Sequence, residues 1–423
     1  MTKVKFVHTA DLHLDTPFKG LSNWDNQLAS KLKDATLKSF YNIIDLCIQE
    51  KVDFLIIAGD IFDSEIKSLA AHLAFYNALK KLSDNNIATY IVCGNHDPLS
   101  SLADFKELPD NVFLFNSSKA GKETFYKDGK ALADIYGISF ENKIVKKNLA
   151  KTFQLEDGHS PFSIAVMHGT IGNPGPHENY APFTKDDVIN KGFDYWALGH
   201  IHKKEIIRQS MPAIVYPGNP QGRDFGETGA KGCCLVEISD TKEPRIDFIP
   251  TQLLRFEEAT INIEGVNTIE LVYQKIESIN DYINDYDEKT GYIIRLTLTG
   301  KTSLHTKLNK DEEIEELLEY LNQGLSLSGY TRIDTIKVKT QPDIDIEKLR
   351  KGTDFAAEVL KTFETYDNDK NKLEQLIEDT NNNMSDNYAK KEIGNLTDEE
   401  KKEIMNKARW KILNQLSITD NDY

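Results

Sequence analysis

Over residues 1–254, short unbroken apolar runs alternate with stretches whose apolar residues recur at helical spacing. Val4–His8, Phe54–Ala58 and Thr89–Cys93 are strand-length runs with little or no polar face, the pattern of strands buried on both sides. Between them, Leu37, Phe40, Ile44 and Ile48 share one helix face, and Leu69, Leu73, Tyr76 and Leu79 share another. This β-α-β-α-β order predicts an α/β layer fold. Ala133–Ile138, Phe162–Met167, Tyr195–Leu198 and Ala213–Tyr216 read as further strands, and Gly232–Ile238 pairs with Arg245–Ile249 as a predicted hairpin.

The pattern changes after residue 254. Strands at 259–263, 292–299 and 333–340 alternate with helices at 268–286 and 311–321, which predicts a small α+β domain over 255–342. Residues 343–423 read as a polar helical tail. One amphipathic stretch carries Phe355, Val359, Phe363 and Tyr366, and a flexible linker is expected near 381–396. Thr397-Asp398-Glu399-Glu400 is a capping box that opens a final helix. Ile404, Ala408, Ile412 and Leu416 form a stripe on that helix, with Trp410 and Leu413 on a neighbouring face. The stripe reads either as a docking surface or as an ordinary core face.

With 423 residues the chain exceeds one compact core, so two or more domains are expected. The first residues hold no apolar segment of the secretory kind, and no apolar run is long enough to span a bilayer. The four cysteines include no CxxC pair, which argues against a disulfide framework or a zinc knuckle and for a reducing cytoplasm. The net charge of −16 argues against nucleic acid as a partner when taken alone. Bound divalent ions would reverse that balance locally. Lys143, Lys146, Lys147 and Lys151 form one basic cluster, and Lys203, Lys204 and Arg208 form a second directly after His202.

Five segments carry candidate chemistry: Asp11-Leu12-His13, Gly59-Asp60, Gly94-Asn95-His96-Asp97, His168-Gly169 and Gly199-His200-Ile201-His202. Four of them follow an apolar run, and ligands in α/β sheets gather beyond the carboxyl ends of strands. Asp11 and His13 are two apart, so an extended backbone would point both the same way, and His200 and His202 repeat the spacing. Gly59 would let the backbone approach bound ions closely. Oxygen and imidazole donors on separate segments match a pair of metal ions clamping a displacement at phosphorus. The mixture suits manganese, iron(II) or zinc better than calcium. His96, between an amide and a carboxylate, is placed to protonate a leaving alkoxide. His8, His72, His159, His177 and His305 have no such context and read as core or surface histidines.

The ordered motifs resemble those of the calcineurin-like metallophosphoesterase superfamily. His8-Thr9-Ala10-Asp11-Leu12-His13-Leu14-Asp15 and Tyr216-Pro217-Gly218-Asn219-Pro220-Gln221-Gly222-Arg223 are similar to segments of its SbcD-type DNA-repair exonuclease branch, nearest to YhaO-like proteins of Gram-positive bacteria. The resemblance implies a four-layer sandwich, two central mixed sheets flanked by helices, with a small α+β capping domain that binds DNA. It implies that Asp11, His13, Asp60 and His202 hold one divalent ion, Mn2+ first and Fe2+ or Zn2+ as alternatives. Asp60, Asn95, His168 and His200 hold the other, with Asp60 bridging. His96 becomes the catalytic acid or transition-state stabiliser, with Asp97 as its orienter. Some members of the branch carry a histidine three residues after the bridging aspartate, where this chain has Asp63. The resemblance also implies an SMC-like coiled-coil ATPase docked by C-terminal helices, and a homodimer for which the Leu69–Leu79 stretch is a candidate. A DNA exonuclease is the leading expectation. A phosphatase or cyclic-nucleotide phosphodiesterase on the same site, or a metal-site scaffold of an ATPase complex, are the alternatives.

Overall fold

The computed structural model describes residues 2–14, 16, 34–63, 68–101, 108–172, 180–239, 243–279, 283, 287, 289–325, 331–383 and 396–419. It divides into two compact units, Met1–Glu257 with Asp287–Ile293, and Glu258–Tyr286 with Ile294–Tyr423.

The first unit is built on two six-stranded sheets. Its strands in chain order are β1 (Lys3–Thr9), β2 (Phe54–Ala58), β3 (Ala88–Val92), β4 (Val112–Leu114), β5 (Gly121–Lys127), β6 (Lys130–Ile138), β7 (Phe162–His168), β8 (Tyr195–Gly199), β9 (Glu205–Arg208), β10 (Ala213–Tyr216), β11 (Gly232–Ser239) and β12 (Arg245–Pro250). One sheet runs β12-β11-β1-β2-β3-β4 and the other β5-β6-β7-β8-β10-β9. Both are mixed: β1, β2 and β3 pair in parallel, whereas β11 runs antiparallel to β1 and β12. The expected β11–β12 hairpin is therefore the edge of a larger sheet.

The unbroken apolar runs follow from this layering. Phe6, Phe54, Ile56 and Tyr90 point into the layer between the sheets, where they meet Ile135, Ile164, Tyr195 and Val215 of the second sheet. The alternate residues Val7, Leu55, Ile57 and Ile91 point outward and pack on Phe40, Ile43, Phe75 and Leu79. These come from helices α1 (Ala35–Gln49) and α2 (Leu69–Asp84). A strand with apolar layers on both faces leaves little room for polar residues, and His8, Thr9 and Thr89 on these strands are themselves buried. Phe6 stacks on Phe54 at 5.1 Å and meets Tyr195 edge-on at 5.3 Å, so aromatic contacts join the sheets. The outer face of the second sheet buries Trp196, Met167 and Tyr216 under Phe153, Phe183 and Phe193. Its cover among the described residues is short, a single turn at Leu149–Thr152 and the four-residue helix Asp186–Ile189. The two-sheet sandwich is as expected, and among the described residues long helices stand on one flank.

The second unit contains most of a three-stranded sheet, β13 (Leu254–Asn262), β14 (Gly291–Thr302) and β15 (Thr331–Pro342), in that order. Helices α3 (Ile269–Glu277) and α4 (Asp311–Leu325) alternate with its strands. Helices α5 (Phe355–Asn368), α6 (Lys370–Asn383) and α7 (Asp398–Thr419) follow. The capping box forms: Glu400 N–H donates to Thr397 Oγ1 at 3.3 Å, and Thr397 N–H donates to Glu400 Oε2 at 2.7 Å. Of the expected linker, Asn381–Asn383 instead end α6, and residues 384–395 lie outside the described residues. Met405 and Leu413 are buried, whereas Ile404 and Ile412 of the expected stripe are exposed. The packed face of α7 is thus the neighbouring one. No helix among the described residues is long and apolar enough to cross a membrane, and all four cysteines are free and buried.

Candidate metal centre

All seven expected ligands gather beyond the carboxyl ends of β1, β2, β3, β7 and β8. Their ligand atoms form two clusters, one with Asp11, His13 and His202 and the other with Asp60, His168 and His200. Asn95 joins the second: its Oδ1 lies 3.1 Å from His168 Nε2 and 3.2 Å from His200 Nδ1. Asp60 faces both, with Oδ2 3.4 Å from His168 Nε2 and 4.0 Å from His13 Nε2. His13 and His202 bring their Nε2 atoms within 3.1 Å of each other. Asp11, His13, Asp60 and His168 are almost wholly buried.

The backbone that makes this convergence is not extended. Asp11, His13, Asp60 and His200 have φ values of 53°, 43°, 52° and 101°. Side-chain-bearing residues rarely adopt positive φ, and such strain clusters at functional sites. The tie between the loops holds it: Asp11 N–H donates to Gly59 O at 2.9 Å, His13 N–H to Asp60 O at 3.1 Å, and Leu14 N–H to Ile61 O at 2.8 Å. So Asp11 and His13 face one site through left-handed turns rather than through the two-residue repeat of a strand. Gly59, at φ 93°, makes room for a side chain: a Cβ there would lie 2.3 Å from His168 Nδ1. At Gly94 a Cβ would lie 2.1 Å from Asp60 Oδ1.

Three imidazoles have one ring nitrogen already held. His13 Nδ1 is 3.1 Å from Asp63 Oδ1, His168 Nδ1 is 3.0 Å from Ala58 O, and His202 Nδ1 is 2.7 Å from Glu227 Oε1. An acceptor on Nδ1 fixes the ring and leaves Nε2 with its lone pair toward the centre, the arrangement metal-binding histidines use. Arg223 spans the two carboxylate orienters, with Nη1 3.3 Å from Asp63 Oδ1 and Nη2 2.6 Å from Glu227 Oε1. Burial opposes ionisation of Glu227, but the His202 and Arg223 bonds outweigh it and hold its carboxyl well below the usual range. The His13 bond does most to bring Asp63 down to about 2.

Burial and neighbouring charges shift these groups in different directions. Burial pushes the Asp11 carboxyl up, and it brings His13 down to about 4 and His200 to about 3, so these rings are neutral and ready to donate lone pairs. At Asp60 burial is outweighed by His168, His13 and His96, which keep it ionised. At His168 burial is likewise outweighed by Asp60, which raises the ring. Two buried carboxylates, an amide oxygen and four imidazoles, three of them held by an acceptor on Nδ1, form a donor set that fits two divalent ions.

His96 sits at the rim, with 36% of its side chain exposed. Its ring also comes close to the His13 and Asp63 side chains, the latter already bonded to His13. Its backbone N–H donates to Asp60 Oδ1 at 2.9 Å, and its Nδ1 is 2.8 Å from the Asp63 carbonyl oxygen. The orienting bond expected from Asp97 is therefore supplied by the Asp63 main chain. Asp97 Oδ2 instead accepts from Ile61 N–H at 2.7 Å, and Oδ1 accepts from Gly94 N–H at 3.0 Å, so this buried side chain ties two ligand loops together. Of the histidines without motif context, His8 lies 3.0 Å from the Tyr195 hydroxyl, His159 is 2.7 Å from Ser160 O, and His72 packs on the Phe62 ring. His177 lies outside the described residues.

Glu227 carried no sign in the sequence, standing 25 residues beyond His202 in chain and touching it only through the fold. Glu227→Gln removes the charge that fixes the His202 ring. Divalent-metal affinity of the cluster with Asp11 and His13 is expected to fall roughly 10–100-fold, read by calorimetric titration with Mn2+. Unchanged affinity would show that Glu227 serves Arg223 and Asn219 rather than the His202 ring.

A two-sheet sandwich whose strand ends hold seven donors, one of them a carboxylate facing both clusters, defines a metal-dependent phosphoesterase. The comparisons with known proteins agree, for the calcineurin-like phosphoesterase family matches residues 4–204. The middle domain of metallophosphoesterase YhaO matches residues 256–341. The "Uncharacterized metallophosphoesterase YhaO" of Bacillus subtilis is 34% identical over 324 residues, which cover 76% of this chain and 78% of that one. "DNA double-strand break repair protein Mre11" of Sulfurisphaera tokodaii is 26% identical over 356 residues, covering 82% and 85%. The Mre11 of Methanocaldococcus jannaschii is 28% identical over 298 residues, covering 64% and 73%. The chain belongs to the calcineurin-like metallophosphoesterase family.

Proposed function

We propose that this chain is a two-metal DNA exonuclease that works in DNA repair with an SMC-like coiled-coil ATPase. The observation that carries the reading is Asp60 Oδ2, within 4.0 Å of donor nitrogens in both clusters, with the His96 ring beside it at the exposed rim. The relatives named as double-strand break repair proteins support DNA as the substrate.

Asp11, His13, Asp60 and His202 would hold one divalent ion, and Asp60, Asn95, His168 and His200 the other, manganese before iron or zinc. When bound, such ions supply Lewis-acid activation of the phosphoryl group and of the attacking water. His96 hands a proton to the leaving oxygen. With Nδ1 bonded to the Asp63 carbonyl, Nε2 is the nitrogen offered to substrate. Asp63, Glu227 and Arg223 keep the His13 and His202 rings in place.

The exposed Ile404 and Ile412 on α7 support docking of the ATPase, and the exposed Leu69, Leu73 and Tyr76 on α2 support a homodimer. The cytoplasm suits four unpaired cysteines. The net charge of −16 favours a second reading, a phosphatase or cyclic-nucleotide phosphodiesterase on the same centre.

Full-length protein with Mn2+ and its copurified ATPase is expected to degrade linear duplex DNA and to leave small phosphomonoesters nearly untouched. Ready hydrolysis of phosphomonoesters with DNA left intact would overturn the nuclease reading and install the second one.

A further inference from the structure

The second compact unit holds a cleft of 1010 Å³ between strand β15 and helix α7. Lys337 and Lys339 line it from the strand, and Lys407, Trp410 and Lys411 line it from the helix. All four lysines are exposed, and Trp410 is partly so. Glu403 is the single carboxylate among the lining residues, and it is paired with Lys407 at 2.7 Å. In a chain of net charge −16, four lysines against one glutamate reverse the local sign.

The spacing is matched to both elements. Lys337 and Lys339 are two apart on a strand, and Lys407 and Lys411 are four apart on a helix, so each pair stands on one face. Beside the helix lysines the cleft is lined by an aromatic plate, Trp410, whereas Trp196 is fully buried in the core of the first unit. The amides of Asn309 and Asn406 also line the cleft, and His305 is fixed there by Thr340 Oγ1 at 2.9 Å. A cationic groove with a stacking aromatic is the chemistry that holds single-stranded nucleic acid without reading its sequence. The volume stands at the top of the range for small-molecule pockets, ~300–1,000 Å³, which leaves room for more than one nucleotide.

We propose that this cleft binds single-stranded DNA, with backbone phosphates on the lysine rows and a base stacked on Trp410. The choice of DNA rests on the nuclease reading; the strand-binding chemistry does not. On helix α7, Met405 and Leu413 are buried and do not line the cleft, whereas the exposed Ile404 stands two turns from Lys411 on the same side of the helix.

The test measures anisotropy of a fluorescein-labelled oligothymidylate bound to full-length protein in EDTA, where no cleavage occurs. Lys337→Glu with Lys339→Glu, and separately Lys407→Glu with Lys411→Glu, are each expected to weaken binding at least ~10-fold. Each pair should also flatten the slope of log affinity against log salt by about 1.4, at ~0.7 for every phosphate that a lysine no longer neutralises. Trp410→Ala is expected to cost roughly 10-fold with the salt slope unchanged, the mark of missing stacking rather than missing charge. The two walls are changed separately, so misfolding of one variant leaves the other to decide. Wild-type affinity in either folded wall variant overturns the proposal. So does tighter binding of polyglutamate than of an oligothymidylate of equal charge, which would assign the cleft to an acidic protein segment. Mn2+-dependent hydrolysis of bis(p-nitrophenyl) phosphate, which should be unchanged in these variants, keeps the outcomes apart. A protein that binds the oligonucleotide but cleaves no DNA fails the nuclease reading and not this one.

Discussion

Asp60→Asn is expected to lower phosphodiester hydrolysis roughly 10³-fold or more, the scale on which a metal ion stabilises a transition state, and to remove most bound metal. The substitution is chosen because it changes charge and little else. Asn tolerates the left-handed backbone that Asp60 adopts at φ 52°. Its amide oxygen still accepts the His96 N–H that now bonds Asp60 Oδ1 at 2.9 Å. What disappears is the one carboxylate facing both clusters. His168, raised now mainly by that charge, loses it and keeps only the smaller pull of Asp11 and the Ala58 carbonyl against burial, so its proton is held less firmly. The fold should therefore survive, checked by thermal unfolding in EDTA. Metal content by elemental analysis should fall for both ions together, because neither cluster is complete without Asp60. Loss of only one ion, or activity within tenfold of the parent protein, would sink the bridging role.

The ligand set was legible in the sequence because strand ends in a layered sheet leave short polar segments after apolar runs, and five such segments recur in order. The orienting residues were not. Asp63 stood out only as a departure from a pattern in relatives, and Arg223 only as part of a similar segment. Glu227 gave no signal, because a carboxylate that meets its histidine through the fold has no fixed spacing in the chain. Asp97 shows the opposite error: adjacency to His96 suggested an orienter, yet its oxygens accept from Ile61 and Gly94 main-chain groups. The sandwich was legible for a related reason. Strands buried on both faces cannot hide, whereas β4, β5 and β9 went unseen. All three are sheet edges. Gly121–Lys127 carries Lys122, Glu123 and Lys127, and Glu205–Arg208 begins and ends on charge. Edge strands are kept polar to avoid pairing with other chains, so their apolar signal is weak.

His96→Ala is expected to slow DNA hydrolysis about 10²–10⁴-fold, the range for removing a general acid, while metal content stays at the level of the parent protein. The two halves of that statement come from different atoms. The His96 main-chain N–H that bonds Asp60 remains in alanine, so the bridging carboxylate keeps its position. The ring that is removed touches the Asp63 carbonyl at 2.8 Å and stands at the rim, outside the two clusters that hold the seven ligands. A change of substrate separates proton donation from simple charge stabilisation. A p-nitrophenolate leaving group departs without a proton, so an acid is dispensable for bis(p-nitrophenyl) phosphate, and the variant should lose much less activity on it than on DNA. The limb of the pH–rate profile that reports leaving-group protonation should vanish for DNA in the same variant. Equal losses on both substrates would assign His96 to transition-state charge rather than proton transfer. Loss of metal together with activity would place the ring among the ligands, through the group it forms with His13 and Asp63.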